Sequence, residues 1–458
     1  MVSAAIRYAR ENKKRFLCEL KDLLRIPSVS TLPKHRPDVE RASHFVAARL
    51  LEVGMEHVER IPTDGHPLVY AHWMRAPGKP TVLCYGHYDV QPPDPLDEWI
   101  TPPFEPDVRD ENIYARGAAD DKGQMYIHIK AAETLLKTRS SLPVNLKFII
   151  EGEEEVGSGS IDQYVRRNAE RLQADTVLVS DTEMFAPGLP TLCVGLRGLI
   201  YTEIIVTGAA HDLHSGLFGG AAPNPLAGLC RILAGLVSPD YQITVPGFYD
   251  DVAPPSEEEK TSWARLPFDA SRFLEKEVGS HSLIGEAGFT VLERLWARPT
   301  LEVHGIVGGF MGEGAKTVIP ARATAKVSMR LVPRQKPAKI VEAFEKEVER
   351  LTPRGLRAEV RVLSSGEAVS VDPSHPSIAA AARALSATFN KPTVYIRGGG
   401  SIPIVSRFED SLHAPVVLMG FGLPDDCLHA PNEKFHLPNF FNGIRAVAAF
   451  WENLAEGG

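Results

Sequence analysis

Apolar and polar residues follow two periods along this chain. Phe16, Leu17, Leu20, Leu23 and Leu24 recur at three- and four-residue spacing, so residues 4–25 read as one amphipathic helix, ended by Pro27. Residues 40–53 read as a second helix, closed by Gly54. Short apolar runs follow at 81–85, 146–150 and 176–179, the pattern of strands buried on both faces. A helical stretch, 124–137, separates the first two. Strand, helix, strand in this order predicts an α/β domain with a mostly parallel sheet flanked by helices.

The pattern changes near Gly195. Residues 199–206 alternate as a strand, 224–237 read as a helix, and 238–280 are rich in Pro, Ser and acids. Alternation returns at 323–331 and helical spacing at 338–351. After Pro373 come a helix (378–389), a Gly-rich loop, an apolar strand (416–419) and a last helix (440–454). The first domain is therefore expected in two pieces, 1–194 and 373–458, interrupted by an inserted α+β domain at 195–372. There are no internal repeats and no low-complexity tails.

Composition removes some function classes. The chain has 458 residues, 44% hydrophobic and 24% charged, an ordinary globular balance. A net charge of −8 argues against nucleic acid or an anionic membrane as partner. The five cysteines (Cys18, Cys84, Cys193, Cys230, Cys427) are odd in number and never in Cys-x-x-Cys spacing, which speaks against a disulfide framework and a thiolate metal site. Charges scattered through 7–25 fit no secretory signal, and the longest apolar stretch, 226–237, is cut by Arg231 and too short to span a bilayer. A cytoplasmic location is expected.

Four apolar strands end in metal-binding residue types. The first leads to His87 and Asp89, the second to Glu151-Gly152-Glu153-Glu154-Glu155, the third to Asp181, and the fourth, after a loop, to His429. Ligands of open parallel sheets collect at the carboxyl ends of the strands, which would gather these groups with Asp120 and Asp121. Alone, each has a plainer reading: a hydrogen-bonded histidine, a solvated acidic loop, a helix N-cap. Their joint occurrence at successive strand ends favours a metal centre. Histidines and carboxylates without thiolates suit zinc, manganese or cobalt, and so many donors suit two ions sharing a carboxylate. Asp89, two residues from His87 on extended chain, can hold the imidazole from behind.

The motifs are Tyr85-Gly86-His87-Tyr88-Asp89-Val90, Arg116 through Gly123, Glu151 through Ser158, and Asp212-Leu213-His214-Ser215-Gly216. Later come Ala315 through Pro320, Met329-Arg330-Leu331-Val332-Pro333, Arg397 through Pro403, and His429 through Lys434. Together they resemble the co-catalytic metallopeptidases and deacylases, which include carnosine dipeptidase, glutamate carboxypeptidase, aminoacylases and succinyl-diaminopimelate desuccinylase. The Asp-Leu-His-Ser-Gly segment and the His-x-x-Asn-Glu-Lys ending look most like the carnosinase branch.

The resemblance implies that His87 and Asp181 hold one ion and Glu155 and His429 the other. Asp120 would bridge them, next to a cis peptide to Asp121, with Glu154 as general base and Asp89 as a supporting catalytic residue. It implies that 195–372 is a lid and dimerisation domain, whose His214 reaches the partner's site to stabilise an oxyanion. Thr317, Arg330 and Ser401 would bind substrate, Arg330 on its free carboxylate. The expected activity is dipeptide hydrolysis by a homodimer with two divalent ions per subunit, zinc first. An N-acyl-amino-acid deacylase is the alternative, and a non-catalytic binding protein on the same fold is a third class. One position departs: related dipeptidases tend to carry an acid after the Arg of the Arg-x-Gly-Gly-Ser loop, where this chain has Gly398.

Other patterns fail as motifs. In 309–317 Ala315 separates Gly314 from Lys316, so no phosphate loop forms. Gly398-Gly399-Gly400 is an isolated run. His211 through His214 lacks helical zinc-protease spacing, and no serine sits in a nucleophile elbow.

Overall fold

The apolar runs pair into one twisted sheet, in a computed structural model that describes residues 2–457. Strand order is His57–Ile61, Leu68–Trp73, Asn145–Glu151, Thr81–His87, Thr176–Val179, Val416–Leu418, Thr191–Leu196. The four central strands, from Asn145–Glu151 to Val416–Leu418, are mutually parallel. The outer ladders are antiparallel. Asn145–Glu151 is buried at all seven positions, as a strand covered on both faces must be. The helix Lys122–Arg139 is buried on every side along its first fourteen residues, and Leu437–Gly457 packs beside it. The parallel strands therefore release four loops at one sheet edge, after His87, Glu151, Val179 and Leu418.

Two compact units divide the chain. The first comprises 1–194, 371–396 and 403–458, and the second 195–370 with 397–402. In the second, an antiparallel sheet runs Thr300–Gly308, Arg322–Leu331, Gly198–Thr207, Arg357–Gly366. Alternate residues such as Ile200, Ile204, Val327 and Met329 face a core completed by Leu229 and Ile232 of helix Pro225–Gly235 and by Ile340 and Phe344 of helix Pro337–Leu351. Asn224 caps the first of these helices, its Oδ1 accepting from Leu226 N at 3.0 Å and Ala227 N at 3.3 Å, with Pro225 at the first position.

Three expectations change. The single helix at 4–25 is two, Val2–Glu11 and Lys13–Leu24, broken at Asn12, where φ −97° and ψ 8° leave the helical region and the side-chain amide donates to Tyr8 O at 2.9 Å beside the backbone bond from Asn12 N at 3.0 Å. The stretch 238–280 contains the helices Glu257–Ala264 and Ala270–Phe273, the first opened by a Ser256–Glu259 capping box. The Gly-rich loop begins on a strand, Val394–Gly398, and runs into a helix, Pro403–Leu412.

Candidate metal centre

His87 ends its strand wholly buried, with its ring fixed on both sides. Nδ1 faces Asp89, 3.2 Å from the carbonyl and 3.4 Å from Oδ1. A proton on Nδ1 satisfies that contact and leaves the Nε2 lone pair for the other side. There Nε2 meets Asp120 Oδ1 at 3.1 Å and Asp181 Oδ2 at 3.9 Å. The other oxygen of Asp120 meets His429 Nε2 at 2.9 Å, and that nitrogen is 3.4 Å from Glu155 Oε2. Two donor trios result, His87–Asp120–Asp181 and Asp120–Glu155–His429, sharing Asp120. The Asp120–Asp121 peptide is cis.

The acidic turn is built to present its side chains. Asp89 accepts the backbone N–H of Glu154 on Oδ1 and of Glu155 on Oδ2, each at 3.2 Å. A Cβ on Gly152 would lie 2.5 Å from the Tyr88 ring, so only glycine lets the strand turn there. Glu151 anchors the turn, accepting from Tyr85 Oη at 2.7 Å and Ser158 Oγ at 2.8 Å, and burial pushes it up to about 8. Gln91 steadies Glu155 by donating to Oε2 at 2.7 Å. Glu154 belongs to neither trio.

Electrostatics show what the donors lack. Burial, then Asp120, pushes Glu155 up to about 8 and Asp181 to about 6. Burial raises Glu154 well above the carboxylate range, with Asp181, Asp120 and Glu155 adding to it against the lowering pull of His87. Burial lowers His87, but its hydrogen bonds to Asp120 and Asp89 win and raise it. A buried crowd of carboxylates around two imidazoles is short of positive charge. Hard oxygen and imidazole donors without sulfur, in two trios joined by one carboxylate, fit two divalent ions.

The second unit carries the other residues singled out in the sequence. Arg330, on Arg322–Leu331, donates from Nη1 to Ser401 Oγ at 2.8 Å, and the Ser401 hydroxyl donates to the carbonyl of Arg197. His214 and Thr317 are neighbours through a two-residue ladder, Leu213–His214 with Val318–Ile319, and Ser215 N donates to Thr317 O at 3.1 Å. His214 is exposed, and its Nδ1 accepts from Gly216 N at 3.0 Å. In the neutral ring the proton therefore sits on Nε2, which points a donor outward.

Comparison with known proteins identifies the family. Residues 83–453 match the model of Peptidase family M20/M25/M40. The chain belongs to this family. It is 34% identical to the Cys-Gly metallodipeptidase DUG1 of Candida albicans, over 96% of this chain and 94% of that one. It is 32% identical to the human Beta-Ala-His dipeptidase, over 100% and 93%. The solved structure of the di-peptidase Dug1p from Saccharomyces cerevisiae superposes with a TM-score of 0.87 at 30% identity, covering 100% of this chain and 99% of that one.

Two polar arrangements beside these residues escaped the sequence reading. Arg197, pulled down to about 10 by burial and by Arg330, donates from Nε to Gly399 O at 2.9 Å and so holds the loop that carries Ser401. Glu433 and Arg116, both buried, form an ion pair at 2.9 Å beneath Asp120. Burial of a charge is legible only in three dimensions. The one sequence signal was that both lie in quoted motifs.

Proposed function

We propose that this M20 metallopeptidase is a two-ion dipeptidase, cleaving the amide bond of dipeptides or very short peptides that have a free C-terminal carboxylate. One observation carries the reading: two donor trios share Asp120, with Glu154 on the same turn as Glu155. His87 and Asp181 would hold one ion and Glu155 and His429 the other, with zinc the first choice and manganese or cobalt alternatives. When bound, such ions polarise the scissile carbonyl and acidify water.

The protein's own groups do the rest. Glu154 takes the proton of the attacking water and delivers it to the leaving amine. Asp89 fixes the His87 ring and the 154–155 turn. Arg330, set by Ser401, binds the substrate carboxylate, and Thr317 contributes a further contact. His214, with Nε2–H free of its own backbone contact, donates to the developing oxyanion in the partner's site of a homodimer. Val303, Ile306 and Val307 on an edge strand, with Phe310 and Met311 beyond it, are exposed and support a dimer through this unit. Five free cysteines support a reducing, cytoplasmic setting, and no helix among the described residues is long and apolar enough to cross a membrane.

The alternative, an N-acyl-amino-acid deacylase on the same centre, is favoured by Gly398, which offers no carboxylate to a substrate's free amine. One assay separates them. Metal-stripped protein is reloaded with zinc, manganese or cobalt and given Cys-Gly, β-Ala-His, other dipeptides, tripeptides and N-acetyl amino acids. Dipeptide cleavage that needs metal, and that Glu154→Gln lowers by about 10²–10⁴-fold with metal content unchanged, is the expected result. Turnover of N-acyl compounds alone moves the assignment to the deacylase. No turnover by folded, metal-loaded protein removes both.

A further inference from the structure

Glu433, four residues after His429, is fully buried and accepts four hydrogen bonds. Oε2 takes Arg116 Nη1 at 2.9 Å and Gly117 N at 2.8 Å, and Oε1 takes Ala119 N at 2.9 Å and Asp120 N at 3.2 Å. Its backbone continues the attachment: Ala115 N donates to Glu433 O at 3.1 Å, and the strand Lys434–His436 pairs with Asn112–Tyr114. One side chain thus docks the segment that ends in Asp120 onto the segment that carries His429. The same loop is drawn closed from its other end. Lys434 Nζ lies 2.7 Å from Asp426 Oδ1 and 3.0 Å from Asp425 Oδ1, and Asp426 Oδ2 accepts from Leu423 N at 2.7 Å.

The two trios differ in what holds them. His87 sits at the end of a central strand with its ring completely buried, and Asp181 follows the neighbouring strand. His429 is not packed in this way. Its side chain is 56% exposed, and the loop around it turns through left-handed residues at Cys427, His429 and Asn432. Its distance from Asp120 is therefore set by how the loops are docked. Four donors on one carboxylate, one of them a guanidinium, make a stiff joint, because each donor left unmatched in the interior costs more than the bond itself contributes.

We infer that Glu433 is the positioning residue for the second ion: it fixes the separation of Asp120 and His429, and the Asp120–Glu155–His429 trio depends on it while the His87–Asp120–Asp181 trio does not. This rests on the two-ion reading above. Glu433→Gln keeps the shape but turns an amide NH₂ towards two of the four donors. Stepwise binding of zinc to metal-stripped wild type and variant, by titration calorimetry with elemental analysis of the product, reads the effect. Expected are two ions in the wild type and, in Glu433→Gln, a second step weakened about 10–100-fold with the first step unchanged. Arg116→Lys, which removes one of the four bonds and keeps the charge, shifts the second step the same way by less, and it serves as the test should the first variant not fold. Two unaltered steps, or equal weakening of both, overturn the inference while leaving the two-ion reading intact. Fewer than two ions in the wild type overturns both.

Discussion

Glu154 and Glu155 are adjacent acids with different neighbours, and the backbone between them helps to explain why. Asp89 grips both amides, so the two carboxylates leave one rigid turn in different directions. Only Glu155 reaches His429. The sequence shows the five-residue acidic run but not this division, since nothing in a string of glutamates says which one faces an imidazole. The Arg116–Glu433 pair is still less legible, its partners standing 317 positions apart in the chain. His214 was legible by resemblance alone, and its geometry now supports a quantitative expectation. Replacing it with Ala removes an outward Nε2–H, and on the proposed role kcat should fall about 100–1,000-fold with metal content unchanged; a near-normal kcat in steady-state assays would rule out the proposal that it is an oxyanion donor.

His128 gives a pH prediction unrelated to metal. It is wholly buried in helix Lys122–Arg139, its Nε2 lies 2.7 Å from Ser180 Oγ, and burial pulls it from 6.5 down to about 3. Between those values the unfolded chain binds a proton that the folded chain refuses. Stability is therefore lost as pH falls through 6.5, by about 2 kcal/mol at pH 5 relative to neutrality, and the loss levels off below about 3. Urea unfolding of His128→Gln across pH 5–7 should show a shallower decline than the wild type; parallel curves would exclude His128 as the source.

Among elements, those with a clean period were legible. The strand at 176–179 and the helices near 337–351 and 376–389 stand within two residues of their sequence reading. Strands that mix polar residues into the run were missed. His57–Ile61 carries His, Glu and Arg, and Thr300–Gly308 exposes most of its positions, so neither shows a clean period, while Leu68–Trp73 was passed over although four apolar residues open it before His72. The Asn12 break was invisible because the apolar spacing continues across it. The junction of strand and turn at Gly152 offers a test at this scale. In Gly152→Ala the new Cβ must displace the Tyr88 ring, which would cost about 1–3 kcal/mol in stability and shift the 154–155 turn. Loss of kcat well beyond the loss of folded protein, measured by activity and thermal unfolding together, is expected; a variant equal to wild type in both would show that the turn is not constrained there.

At the scale of the molecule, the sheet of the second unit presents an apolar edge that a monomer would leave in water. Val307 is 61% exposed on that strand. If the edge joins two copies, Val307→Glu should yield a monomer in sedimentation velocity, with metal content retained and, on the proposal that His214 serves the partner's site, with most activity lost. A variant that remains dimeric would place the contact elsewhere.

The strand Val416–Leu418 pairs in parallel with Thr176–Val179 and carries the sheet on to Thr191–Leu196. During synthesis the ribosome delivers residues 180–415 between these partners. At about 5–20 residues per second that interval lasts about 10–50 s. Throughout it the nascent chain presents an unpaired apolar strand edge, and neither His429 nor Glu433 has yet been made. The metal centre therefore cannot close until the chain beyond residue 415 has emerged, and the newborn chain has to be kept from aggregating until then.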